Sequence, residues 1–196
     1  GINHSLSHKL GGWFHIPHGT ANALLAPYVC KFNAQRHPYH MGTFSQYKYP
    51  QAFERYVELG ELIGVKGKND EETFKNWIKA LEQLKADIDI PPTICDWLCE
   101  AHPEKSAEDW EKEFLAAVDQ MSEWAFHDAC TGANPVYPMI GELKQVYLRA
   151  FYGDDKFIEK YGDVLCLEIN NPTDTHAAYP LGLTAEIGED KVGGFK

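Results

Sequence analysis

HSLSHKLGGWFHIPHGTANALLAPYV, residues 4–29, is the stretch on which the fold turns. Its first part sets apolar and small residues at helical spacing with no cap residue ahead of them, which reads as a helix whose beginning is missing. Gly11 and Gly12 are expected to end that helix. After the aromatic WFHI, Pro17 opens a second helical segment, since proline suits a first turn, where its missing N–H leaves no bond unmade. Pro27 lies inside this segment, and a kink or break is expected there.

The remaining chain extends the helical reading. A loop rich in His, Tyr, Pro and Gly covers 35–49. Phe53, Tyr56, Val57, Leu59, Leu62 and Ile63 then fall mostly at three- and four-residue intervals before Gly64. Asn69 is a cap candidate ahead of DEETFKNWIKALEQLKADI, whose acids crowd the first turn and whose lysines come later, as the helix dipole favours. Its apolar stripe is Phe74, Trp77, Ile78, Leu81 and Leu84. Ser106, with Asp109 three residues on, opens a helix over 106–130, and another covers 138–152 until Gly153 stops it. Phe53, Tyr56, Phe74, Trp77, Trp110, Phe114, Trp124 and Phe126 fall on apolar faces and read as core. No period-two run of β-branched residues precedes Gly153, so the body, 1–153, is all-α. The tail, 154–196, is studded with Gly, Pro, Asn and Asp and reads as irregular, with room for a short strand at VLCLEI.

Composition narrows the function. With 196 residues, 44% hydrophobic, the chain can bury one good core. A net charge of −11 argues against nucleic-acid or anionic-membrane partners. No apolar run approaches the roughly eighteen residues a bilayer span requires. The five cysteines are an odd count in a chain large enough to fold without staples, so reduced thiols and a cytoplasmic setting are expected. Cys95 and Cys99 share a helix face in CDWLC, a spacing that fits buried thiols better than a zinc ribbon.

The sharpest chemical signal is histidine. Of nine, four (His4, His8, His15 and His18) fall within fifteen residues. His4 and His8 project from one helix face and His18 begins the next helix, so a tight turn can bring three imidazoles together, an arrangement suited to zinc or ferrous iron. Histidines bonded to backbone would give the same spacing. No carboxylate stands nearby in sequence, so either the ligand set is completed elsewhere or there is no site.

At these residues the chain resembles the iron-containing, group III alcohol dehydrogenases, whose signature reads HxxAHxLG, a short spacer, then PHGxANA. His4, His8, Gly11, Pro17, His18, Gly19, Ala21, Asn22 and Ala23 match; Ser7 and Thr20 depart from the usual residues. DACTGANPVYPMIGELKQVYLRAFYG, residues 128–153, is similar to the CTGxNP segment and final helix of the same family. This stretch and FSQYKYPQAFERYVELGELIG, residues 44–64, are most similar to the alcohol dehydrogenase half of bifunctional aldehyde-alcohol dehydrogenases.

The resemblance implies the C-terminal helical bundle of a dehydroquinate synthase-like architecture. It implies His4 and His18 as ligands of a divalent metal, Fe2+ or else Zn2+, with an Asp and a further His supplied upstream, and His8 beside metal and nicotinamide as a proton-moving residue. Cys130, and more weakly Thr131 and Phe14, are implied to line the substrate pocket. NAD would be bound mainly by an upstream domain, since no glycine-rich strand-to-helix turn occurs in these residues. The implied reaction interconverts small primary alcohols and aldehydes, acetaldehyde and ethanol in fermentation among them, in a homo-oligomer that can be filamentous. Two other readings stand beside it: a glycerol or polyol dehydrogenase of the same fold, and a non-catalytic helical interaction module. A metal hydrolase is disfavoured, because no carboxylate sits at HExxH-like spacing.

Overall fold

The computed structural model describes residues 1–36, 38 and 51–162. These residues form eight α-helices and one 3-10 turn, with no strand among them. Helix α1 spans Ile2–Phe14 and α2 His18–Asn33. They are followed by α3, Ala52–Leu62, α4, Asp70–Asp87, and α5, Ile94–Ala101. Helix α6 covers Ala107–Phe126, a 3-10 turn Thr131–Ala133, α7 Ile140–Tyr152 and α8 Asp154–Tyr161.

Helix α1 shows how the pattern divides its faces. Ile2, Leu6, Leu10 and Phe14 recur every fourth residue and are all buried. His4 and His8 are each offset by two residues from this row, a rotation of about 200°, and so stand exposed on the opposite side. The helix does not stop at the glycine pair. Phe14 stacks on Phe114 at 5.5 Å, and its burial carries the helix through Gly11 and Gly12 to His15, which closes it in the left-handed region at φ 55. Helix α2 likewise passes Pro27 unbroken. The bond missing at that proline is outweighed by burial of Leu24, Leu25, Tyr28 and Val29 around it.

Helix α7 lies at the centre, packed against α2, α5, α6 and α8, while α1 packs on α2 and α6. Phe114, Phe151, Tyr147, Leu143 and Leu98 fill the space between them. Helices α3 and α4 form a satellite pair with its own apolar contacts, Tyr56 on Trp77 at 4.6 Å and Phe53 on Phe74 at 5.5 Å. Gly60 permits the close approach, since a Cβ there would stand 3.0 Å from the Thr73 methyl. The expected caps are in place: Asn69 accepts from the Glu72 amide at 2.8 Å and Ser106 from the Asp109 amide at 3.2 Å.

Several expectations are corrected. The helix from Ser106 ends at Phe126, short of Cys130. Trp124, expected in the core, is 50% exposed and lies against Trp13 across α1 and α6. Leu84 is exposed, and its neighbour Lys85 is buried in its place, donating to the Pro92 carbonyl at 2.9 Å. The tail is not irregular from its start. Gly153, at φ 82, turns the chain directly into α8, where Asp154 accepts from Lys31 and Arg149 and Phe157 is fully buried. The strand anticipated at VLCLEI lies outside the described residues. Among the described residues no helix is long and apolar enough to cross a membrane.

Glu142 carries a pH dependence. It sits in the first turn of α7 and accepts from the Met139 amide at 2.7 Å. Burial pushes its carboxyl from 4.5 up to about 7, against the lowering effect of that amide. The folded state thus holds the proton more tightly than the unfolded chain, and stability falls as pH rises from 4.5 to about 7. Glu142→Gln keeps an acceptor for Met139 without a buried charge. It is expected to raise stability by ~1–3 kcal/mol in urea melts at about pH 8, with the gain shrinking as the pH is lowered toward 4.5; a less stable variant at the higher pH contradicts this.

Candidate metal centre

The turn between α1 and α2 creates the site. His15 in the left-handed region, Ile16 buried beneath it and Pro17 at the start of α2 reverse the chain within three residues. His18 thereby meets the exposed face of α1, with ring centroids 5.0 Å from His4 and 5.6 Å from His8, while His4 and His8 are 5.9 Å apart. The three imidazoles predicted to converge do so.

His18 is held by both helices. Its Nε2 lies 3.0 Å from the Asn22 amide nitrogen and its Nδ1 3.4 Å from Ser7 Oγ. Asn22 is itself fixed, its Oδ1 accepting from Asn3 at 2.8 Å, while the Ser7 hydroxyl donates to the His4 carbonyl. Asn22 can only donate through this nitrogen, so Nε2 is the bare nitrogen of a neutral ring, leaving Nδ1–H to the Ser7 oxygen. Ser7, one of the two departures from the family pattern, thus steadies a candidate ligand.

Residues far along the chain close the other side. His8 Nδ1 is 3.1 Å from Asp128 Oδ2, and Lys9 Nζ reaches the same oxygen at 2.7 Å. The Cys130 amide donates to Asp128 Oδ1 at 2.9 Å in a turn just beyond α6. Burial alone would raise the Asp128 carboxyl, but the bonds from Lys9, the Cys130 amide and His8 prevail and hold it well below the usual carboxylate range. Candidate ligand atoms of His8, Asp128 and Cys130 lie within 4.8 Å of one another. Cys130 therefore reaches the edge of the cluster. Asp128 and Lys9 were not signalled by the sequence; the acid in DACTG was the available clue, with nothing to say that it folds against His8.

Two pocket candidates are placed elsewhere. Thr131 is 1% exposed, its hydroxyl donating to the Ala125 carbonyl at 2.6 Å and meeting Ser5 Oγ at 2.7 Å. Phe14 lies in the core between Phe114 and Trp110. Thr131 faces inward from the 3-10 turn, and Phe14 is largely buried while bordering a surface hollow with Trp13 and Trp110.

The donor set fits a divalent metal. His4 and His18 offer adjacent imidazoles on an exposed face, ligands that suit Fe2+ or Zn2+, and would supply two of the three or four protein ligands such a site requires once His18 Nε2 is released by the Asn22 amide.

Comparison with known proteins places the chain in a family. Residues 1–151 match the model of the Fe-containing alcohol dehydrogenase family, C-terminal. The chain is 46% identical over 157 residues to the bifunctional aldehyde-alcohol dehydrogenase of Escherichia coli, covering 79% of this chain and 16% of that protein. It is 34% identical over 155 residues to the NADPH-dependent butanol dehydrogenase of Clostridium saccharobutylicum, covering 79% of this chain and 34% of the relative. Among solved structures, the iron-containing alcohol dehydrogenase of Thermococcus thioreducens superposes with a TM-score of 0.56 at 30% identity, over 78% of this chain and 32% of that one. A 1,3-propanediol oxidoreductase superposes with a TM-score of 0.57 at 26% identity, over 77% and 32%. This chain belongs to the Fe-containing alcohol dehydrogenase family. It spans about a third of the length of these single-activity relatives and 16% of the bifunctional one.

Thr131 provides a check on the division between site and scaffold. Thr131→Val removes one of the two donors to the Ala125 carbonyl, leaving the Asp128 amide, and takes this partner from the Ser5 hydroxyl in the core; it is expected to cost ~1–3 kcal/mol in chemical denaturation, with Thr131→Ser restoring most of it. Unchanged stability in the valine variant contradicts a bracing role.

Proposed function

We propose that this chain supplies the metal-holding helical part of a nicotinamide-linked alcohol dehydrogenase that interconverts primary alcohols and aldehydes. Acetaldehyde and ethanol are the first candidates, in a fermentative, cytoplasmic enzyme that assembles as a homo-oligomer. The observation that carries the reading is the convergence of His4, His8 and His18 on one exposed face.

In this reading His4 and His18 hold the metal, with Fe2+ ahead of Zn2+. When bound, the ion supplies Lewis acidity toward the substrate oxygen, and the nicotinamide exchanges hydride with the substrate carbon. Ser7 holds the His18 ring through Nδ1, while the Asn22 amide, which donates to Nε2, gives up that bond when Nε2 takes the metal. His8 accepts or returns the proton of the alcohol, and Cys130 borders the space beside it. A polyol substrate is the second reading, favoured by the likeness to 1,3-propanediol oxidoreductase; the higher identity to a bifunctional aldehyde-alcohol dehydrogenase favours simple primary alcohols.

The test has two parts. Cobalt titration of this chain, followed by visible absorption, is expected to show weak binding, since two imidazoles leave the ion most of its waters. That binding should be lost in His4→Ala and in His18→Ala. Grafting residues 1–151 in place of the matching segment of the Escherichia coli relative is then expected to give ethanol-dependent reduction of NAD, which this chain alone should not show. A graft that folds and binds nicotinamide yet oxidises no primary alcohol contradicts the proposal.

A further inference from the structure

The Asp128 carboxylate is built into the cluster by three donors from two parts of the chain. Its Oδ1 accepts from the Cys130 amide, and its Oδ2 receives Lys9 Nζ and faces His8 Nδ1. Lys9 follows His8 directly on α1, so the same turn of helix that carries His8 also clamps its partner. The Asp128 side chain is only 12% exposed, and so is more constrained than a carboxylate of an ordinary surface ion pair.

We propose that Asp128 is the positioning residue for His8, fixing its ring in the tautomer protonated at Nδ1 and leaving Nε2 as the nitrogen that exchanges a proton with substrate. An ionised carboxylate can only accept, so the 3.1 Å contact requires a hydrogen on Nδ1. A neutral imidazole with its hydrogen there has its lone pair on Nε2. The orientation of the ring follows from the same bond, as the carboxylate is immobilised by Lys9 and by the backbone of the turn. A cation held by His8, Asp128 and Cys130 is the competing use of this cluster. The Lys9 ammonium, 2.7 Å from the oxygen such an ion would need, disfavours it. The tautomer follows from geometry alone; the proton-exchanging role of Nε2 rests on the proposed alcohol dehydrogenase function.

The test reads the tautomer directly. Nitrogen-15 NMR of the imidazoles in this chain, recorded at about pH 9, above the ordinary imidazole range, is expected to show His8 protonated at Nδ1. In Asp128→Ala the signal should move toward the Nε2-protonated form that free imidazole side chains prefer, and Asp128→Asn provides an isosteric variant should the alanine fail to fold. Wild-type His8 protonated at Nε2, or a tautomer unmoved by either variant, overturns the proposal. In the active graft, Asp128→Ala is expected to lower kcat by roughly tenfold to a hundredfold with metal content and KM little changed. The same change made in a His8→Ala background is expected to cost nothing more, because Asp128 acts through His8. An equal loss in both backgrounds overturns it. A graft without activity whose His8 still shows the Nδ1–H form contradicts the function and leaves the positioning role standing.

Discussion

One buried amide fixes the frame on which the cluster stands. Asn134, 2% exposed, accepts from the Ile2 amide at 3.2 Å, exchanges bonds with Asn33 at the end of α2, and donates to the Val136 carbonyl at 2.7 Å. It therefore ties the start of α1, the end of α2 and the segment beyond α6 at one point. Those are the three pieces that bear His4 and His8, His18, and Asp128 with Cys130. Every bond is made in the interior, where an unpaired amide costs about 1–3 kcal/mol, so the frame tolerates little drift. Tyr147, donating from the central helix to the Leu6 carbonyl at 2.8 Å, fixes the depth of α1 in the same way.

On that frame the site needs few special devices. The two-residue offset between the buried row of α1 and its histidines sets which side they face. The left-handed residue His15 sets how sharply α2 returns. Polar side chains around the cluster then share out the imidazole nitrogens: Asn22 and the buried Ser7 bond His18, and Asp128 bonds His8. The two rings lie nearly parallel, 21° between planes, yet they are held by different partners and so can serve different ends. In the proposed role His18 exchanges its Asn22 bond for a metal shared with His4, while His8 is engaged by a carboxylate that a neighbouring ammonium already balances.

Local features were legible in the sequence. Caps such as Asn69 and Ser106 act within three residues, and spacing such as that of His4 and His8 is fixed by helix geometry, so both could be read without tertiary knowledge. The glycine pair misled because glycine is only a mild helix breaker, and the burial of Phe14 decides the matter. Leu84 and Trp124 misled because periodicity gives the face of a helix but not how far its neighbour extends over it; Lys85 is covered while Leu84 is not. Gly153 does stop α7, and what the sequence left open is that the acids after it, anchored by Lys31 and Arg149, start another helix. Asp128 lay furthest from reach, since its pairing with His8 spans 120 residues and depends on how α1 packs against α6. For the same reason the sequence could only rank Cys130 ahead of its neighbour Thr131 and not say that one borders the cluster while the other points into the core.

The central claim is a division of labour among three neighbouring imidazoles, and metal analysis paired with turnover tests it most directly. In the active graft, His18→Ala is expected to lose both bound metal and alcohol oxidation. His8→Ala is expected to retain its metal and lose turnover by roughly a hundredfold, the scale of a proton-transfer contribution. The reverse pattern, metal lost with His8 and kept without His18, would contradict the assignment of the cluster.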